Sequence, residues 1–231
     1  MTEAEYQTVY EHRKETETGM VEVTRHSLAM RLCHWGIVIT GIILGLTGLQ
    51  IGGLYGIRVV GEQSLALHIW SGLIFGSLWI FFAYYILAYE WKWISITRIP
   101  YSIRYLIAET RAWFGGKHVE DPRGYNPETR KYVEKIVPTQ VMVWWGYLLL
   151  TILMGATGLS MYYRWEPMIN FAESIAPAFG AYDGYTFLRA VHRLGMYLFA
   201  VEVIMHAYAV IIFGVLKSMF TGVRKEKVIK D

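Results

Sequence analysis

Four stretches of the chain are almost unbroken runs of apolar residues: Trp35 to Leu54, Gln63 to Tyr89, Ile136 to Tyr163 and Leu194 to Leu216. Each reaches the length of about 20 residues that an α-helix needs to cross a hydrocarbon core of about 30 Å. The pattern predicts an all-α membrane protein, a bundle of four transmembrane helices. Residues 100–114 follow a different rhythm. Ile103, Leu106, Ile107, Thr110, Trp113 and Phe114 recur at helical spacing, with Arg104, Glu109 and Arg111 between them. That spacing predicts an amphipathic helix lying on the membrane surface. Gly115 to Pro122 is rich in turn residues and places His118 toward solvent. Residues 1–25 alternate acidic, basic and polar types and read as a solvated arm. Residues 164–190 set Trp165, Phe171, Phe179, Tyr182 and Tyr185 among small residues. That composition suits contact with an external protein, or an aromatic belt at the membrane interface.

Composition strengthens the membrane reading. Of the 231 residues 54% are hydrophobic and 16% aromatic, well outside the range of soluble domains. The first 30 residues contain no apolar core, so no cleavable leader is expected there. Cys33 is the single cysteine; it excludes an internal disulfide and any C-x-x-C-H attachment motif. A net charge of +3 gives no reason to expect a nucleic-acid partner. The distribution of charge says more. Lys and Arg number four before the first span, nine between the second and third, and five after the fourth, against one and three on the two remaining connections. The positive-inside rule then places both termini in the cytoplasm, together with the 91–135 loop and the 217–231 tail. The expectation is a single domain over 1–231, N-in and C-in, embedded in the lipid of the cytoplasmic membrane.

Within that topology four histidines sort by depth. His34 opens the first span at the inner side and His206 lies toward the inner end of the fourth. His68 opens the second span at the outer side and His192 precedes the fourth there. His192 and His206 are 14 residues apart, which is about 21 Å along a helix and about 40° short of whole turns. One helix therefore offers a histidine at each depth on nearly one face. Ionisable side chains within spans are costly and mark function. Gly41 and Gly48 follow His34 at steps of seven, and Gly72 lies one turn after His68. These glycines thin the helix faces beside the histidines and admit a flat group close to the backbone. The first and third spans also echo each other, with G-L-T-G-L at Gly45 to Leu49 and G-A-T-G-L at Gly155 to Leu159. Helix packing accounts for that echo as well as duplication does.

Two imidazoles per depth are too few for a structural zinc site, which takes four ligands. They suffice for a macrocycle that brings its own four equatorial nitrogens. Two noncovalent b-type haems fit the count, bound through His34 with His206 and His68 with His192. Arg31 and Arg193 could neutralise haem propionates at the two surfaces, and ordinary snorkelling to the membrane surface explains both as well. Two haems at two depths form a transmembrane electron wire. The sequence has no iron–sulfur or flavin motif, so the donor must be another subunit, and a lipophilic quinone-like carrier is the natural partner at the other end.

Several stretches carry a family resemblance. R-L-C-H-W at Arg31 to Trp35, L-H-I-W-S-G at Leu67 to Gly72, G-Y-N-P at Gly124 to Pro127 and H-R-L-G-M-Y-L at His192 to Leu198, with His206 beyond, resemble the cytochrome b subunit of membrane-bound nickel–iron hydrogenases. The gamma subunit of respiratory formate dehydrogenase shares the pattern more loosely. The resemblance implies haem ligation by the same four histidines, and a hydrogenase small, iron–sulfur subunit with its large subunit on the outer face. This chain would then be the electron-transfer subunit of an oxidoreductase complex. The resemblance also implies a carrier site near the inner haem, with Tyr125 and Asn126 in its Y-N segment. Glu202 departs from the family pattern, which has an apolar residue there. It either relays protons to the reduced carrier or pairs with a basic residue in the bundle.

Two rivals remain at this point. One keeps the cytochrome and changes the partner to formate dehydrogenase or a thiosulfate- or polysulfide-type reductase. The other is a histidine-lined metal transporter, which predicts no Soret band and needs more acidic groups than Glu202.

Overall fold

The computed structural model describes residues 17–117 and 119–229; His118 and most of the expected arm lie outside the described residues. In chain order the elements begin with β1 (Glu17–Thr24), α1 (Leu28–Ile51), α2 (Ser64–Tyr89), the short α3 (Trp91–Ile94) and α4 (Ile99–Trp113). They continue with β2 (Gly124–Asn126), β3 (Lys131–Glu134), α5 (Gln140–Tyr163), α6 (Glu166–Ile175), α7 (Gly184–Ile212), α8 (Leu216–Thr221) and β4 (Val223–Ile229). The chain forms two compact units. One takes residues 32–86 and 143–212; the other takes 87–142 with the segments up to 31 and from 213 onward.

The first unit is the helix bundle. Helices α1, α2, α5 and α7 are the four expected spans, with 24, 26, 24 and 29 residues. At about 1.5 Å per residue they measure about 36–44 Å, enough to cross a bilayer. Apolar residues surround these helices on all sides, so packing cannot cover them all. Ile39, Ile42, Ile80, Leu149, Ile152, Ile204 and Ile211 are exposed, as a lipid-facing surface requires. Toward the interior, Phe199 of α7 meets Phe75 of α2 at 6.0 Å between ring centroids and Tyr147 of α5 at 5.3 Å. Trp79 of α2 reaches Tyr147 at 6.3 Å. These aromatic contacts, one edge-on and two tilted, join three helices. Between α5 and α7, α6 and a turn of 3-10 helix at Ala176–Phe179 fold back on the start of α7. Trp165, Phe171, Phe179 and Tyr182 of this connection stay exposed.

The second unit contains a small sheet of order β1-β4-β2-β3. It is built from segments read from sequence as arm, loop and tail, so residues 17–24 are strand rather than solvated arm. β1 and β4 run antiparallel, pairing Met20 with Lys227 through Thr24 with Val223. β2 and β3 form a hairpin, and Tyr125 pairs in parallel with Val228 of β4. Side-chain charges close the structure. Glu226, almost fully buried, accepts from Arg25 at 2.5 Å and from Arg224 at 2.7 Å. Arg98 binds Glu134 at 2.6 Å and Lys135 binds Glu90 at 2.5 Å. The guanidinium of Arg123 holds Asp121 and the Phe213 carbonyl. Gly222, at φ +84, turns the chain from α8 into β4, and its carbonyl accepts the Arg25 and His26 amides. The expected amphipathic helix is α4, which begins with Pro100 in its first turn, a position where proline removes no helical bond. It leaves Ile103, Leu106 and Ile107 exposed.

Candidate functional site

The four histidines come together as two pairs, and each pair draws on α7. His34 of α1 lies 6.4 Å from His206 between ring centroids, with planes tilted by 46°. His68 of α2 lies 6.4 Å from His192, with planes at 67°. His206 also meets the ring of Tyr147 edge-on at 5.9 Å, and His34 meets Trp35 at 5.5 Å. The sequence pattern placed these partners correctly because α1 and α2 run in opposite directions. Residues at the start of α2 therefore reach the depth of the end of α1.

The surroundings of the two pairs differ. In the His68–His192 pair, the Nδ1 of His68 is 2.9 Å from the Thr47 hydroxyl and the Nδ1 of His192 is 2.8 Å from that of Thr157. The glycine after each threonine completes the seat. A Cβ on Gly48 would stand 3.4 Å from Cε1 of His68, and one on Gly158 would stand 3.3 Å from Cε1 of His192. Thr47, Thr157 and Gly158 were not among the expected site residues. Their signal is the repeated T-G of the first and third spans, an echo for which helix packing and duplication account equally well. In the His34–His206 pair, Nδ1 of His34 is buried without a hydrogen-bond partner.

The remaining expected residues occupy varied positions. Gly48 lies against His68 of the neighbouring helix, Gly41 faces Phe75 and Gly72 faces Leu44. All three close approaches are between helices. Arg31 donates to the Phe220 carbonyl and packs against Gly222. Arg193 is exposed on α7 beside His192. Tyr125 meets Tyr132 at 5.2 Å across the hairpin. Asn126 is buried, and its Oδ1 accepts the amides of Glu128 at 2.9 Å and Thr129 at 3.1 Å, shaping the turn between β2 and β3. Glu202 turns its carboxylate onto Gly146 of α5, where a Cβ would overlap Oε1, and its Oε2 has no hydrogen-bond partner.

A bundle of four apolar helices with histidine pairs at two depths defines a class, the multihelix membrane cytochromes. Comparison with known families gives the finer placement. The chain belongs to the prokaryotic cytochrome b561 family, whose pattern it matches over residues 25–222. No curated protein matches it. This family binds b-type haem, so the chain is an integral membrane cytochrome, and its activity is transmembrane electron transfer.

The residues present fit that group. Two imidazoles on opposite sides of one metal ion, each bonded at about 2.0–2.1 Å, place their ring centroids about 6.3 Å apart. Both pairs measure 6.4 Å. Among the described residues no cluster of three or more His, Cys, Asp or Glu forms a metal site. Paired imidazoles alone suit a metal whose other ligands come with it.

Proposed function

We propose that this chain is a dihaem b-type cytochrome that anchors an outer-face hydrogenase in the cytoplasmic membrane. It would pass electrons from the hydrogenase iron–sulfur subunit to a quinone-type carrier near the cytoplasmic side. The observation that carries the reading is the pair of matched imidazole separations, 6.4 Å at each depth. His34 with His206 would hold one haem and His68 with His192 the other. Each haem, when bound, takes up and gives up one electron.

The chain's own residues supply position and surroundings. α7 sets the two sites fourteen residues apart, and the aromatic contacts of Phe75, Phe199 and Tyr147 fill the bundle between them. Arg193, beside His192 in sequence, would face a propionate, and Arg31, three residues before His34, is carried for the same role by its sequence position alone. The excess of Lys and Arg on both terminal segments and on the 91–135 loop supports an N-in, C-in topology. That topology puts His68 and His192 on the outer side. The uncovered apolar stripe of α4 supports its place on the inner leaflet.

The hydrogenase small and large subunits are proposed as partners on the strength of the R-L-C-H-W and H-R-L-G-M-Y-L motifs. Tyr125 and Asn126 are carried as carrier-site residues by the same resemblance. The oxygen of Asn126 has an observed task in the hairpin turn. Glu202, one turn before His206 and with one oxygen unpartnered, is the group suited to pass a proton toward the inner side.

The test is haem content. Purified from membranes, the chain should show a dithionite-reduced b-type spectrum with two haems per chain. His68→Ala or His192→Ala should remove one haem, and His34→Ala or His206→Ala the other. A colourless protein overturns the reading, as does a haem content unmoved by these substitutions. Copurification of an iron–sulfur hydrogenase subunit tests the partner; copurification of a different dehydrogenase overturns that part alone.

A further inference from the structure

Thr47 and Thr157 are nearly fully buried, 1% and 4% exposed, and the hydroxyl of each lies between a histidine and a backbone carbonyl. Thr47 Oγ1 is 2.6 Å from the Ile43 carbonyl of its own helix and 2.9 Å from Nδ1 of His68. Thr157 Oγ1 is 2.7 Å from the Leu153 carbonyl and 2.8 Å from Nδ1 of His192. A hydroxyl has one proton and a carbonyl has none to give. The threonine proton is therefore committed to the carbonyl, and the short contact to the ring requires Nδ1–H to donate. Both histidines are fixed in one tautomer, with Nε2 left as the free lone pair.

We propose that Thr47 and Thr157 are positioning residues that fix the tautomer and raise the donor strength of His68 and His192. They thereby hold the reduction potential of the haem bound there below its value without them. The inference rests on the reading that this pair ligates a haem. A histidine that donates through its far nitrogen is a more basic ligand, and a more basic axial ligand favours the oxidised iron. Both ligands of the outer pair receive this treatment, from two different helices and through the same T-G step. The inner pair lacks it on at least one side, since Nδ1 of His34 has no partner. The asymmetry biases the two sites in the direction that sends an electron from the outer pair toward the inner one.

The test is a potentiometric titration of the purified cytochrome, followed in the visible spectrum, for wild type and for Thr47→Val with Thr157→Val. Valine keeps the shape and removes the hydroxyl. The expected result is a shift of about tenfold in the reduction equilibrium of one haem, about 59 mV upward for one electron. The other haem should stay in place. Thr47→Ser with Thr157→Ser, which restores both hydroxyls, should return the original midpoint. Identity of the shifted haem follows from its loss in His68→Ala. If two haems are bound and neither midpoint moves, or both move alike, the inference is overturned. If the valine protein loses that haem, retention by the serine protein supports the hydroxyl role, and loss there too assigns the effect to packing and overturns it. Wild type without haem overturns the parent reading, a result distinct from any of these.

Discussion

Replacing Glu226 by Gln should loosen the β1–β4 pairing specifically. The side chains of Arg25 and Glu226 are 4% and 2% exposed, so the substitution leaves a buried guanidinium without its counter-charge. Removing one partner of a buried ion pair costs about 3–5 kcal/mol. Here the lower end applies, because Arg25 keeps the Lys135 carbonyl at 2.6 Å and Arg224 keeps that of Phe213 at 3.1 Å. Burial and the facing Arg123 already pull the Arg224 guanidinium below its ordinary pKa, and Glu226 opposes them. The loss of Glu226 therefore falls on a cluster with excess positive charge. About 3 kcal/mol corresponds to about a hundredfold in the local opening equilibrium. Hydrogen exchange reads that equilibrium directly: the amides of Met20 to Thr24 and their partners in β4 should exchange about a hundred times faster. The amides of the α7 core should be unaffected. Lys225→Gln, at an exposed position of the same strand, should change exchange by less than about threefold. Equal exchange in the two variants would refute the assignment of the sheet's stability to this ion cluster.

Two further outcomes follow from local geometry. On the proposed dihaem reading, Glu202→Gln should slow reduction of a quinone-type carrier while leaving both haem spectra unchanged, because the carboxylate lies against Gly146 rather than against one of the paired histidines; turnover equal to wild type would remove Glu202 from the proposed proton path. Asp183 caps α7 by accepting the Thr186 amide at 2.7 Å, and these hydrogen bonds hold its pKa below the ordinary 3.8. Its contribution to the first turn is therefore present above the unfolded pKa and is lost as the pH falls through the folded one. A fall in the protection of the Thr186 and Phe187 amides relative to their intrinsic exchange rates on acidification, absent in Asp183→Ala, is the readout.

The four spans and the histidine pairs were legible because both depend on short-range regularities. Twenty apolar residues identify a span without knowledge of its neighbours, and alternating direction then pairs His34 with His206 and His68 with His192. The sheet was not legible for the opposite reason. β1 and β4 pair Met20 with Lys227 across nearly the whole chain, and neither segment is apolar enough to announce a strand. Glu226 reads as a solvated charge until Arg25 is placed beside it. Thr47 and Thr157 were visible as a repeated motif, but a threonine in a membrane helix satisfies itself on its own backbone. Only the position of the histidine across the interface shows that the hydroxyl has a second partner.

Helix α7 also acts as a ruler. Because His192 and His206 belong to one continuous helix, their separation is set by the covalent backbone and its internal hydrogen bonds rather than by how neighbouring helices pack. Thermal breathing of the bundle, or a change of lipid thickness that tilts the helices, alters the partners His34 and His68 bring but leaves that spacing intact. On the proposed dihaem reading, an electron hopping between the two sites would meet a gap whose length is written into a single stretch of sequence. Inserting or deleting one residue between them would rotate one imidazole by about 100° relative to the other, so the spacing is fixed in angle as well as in length.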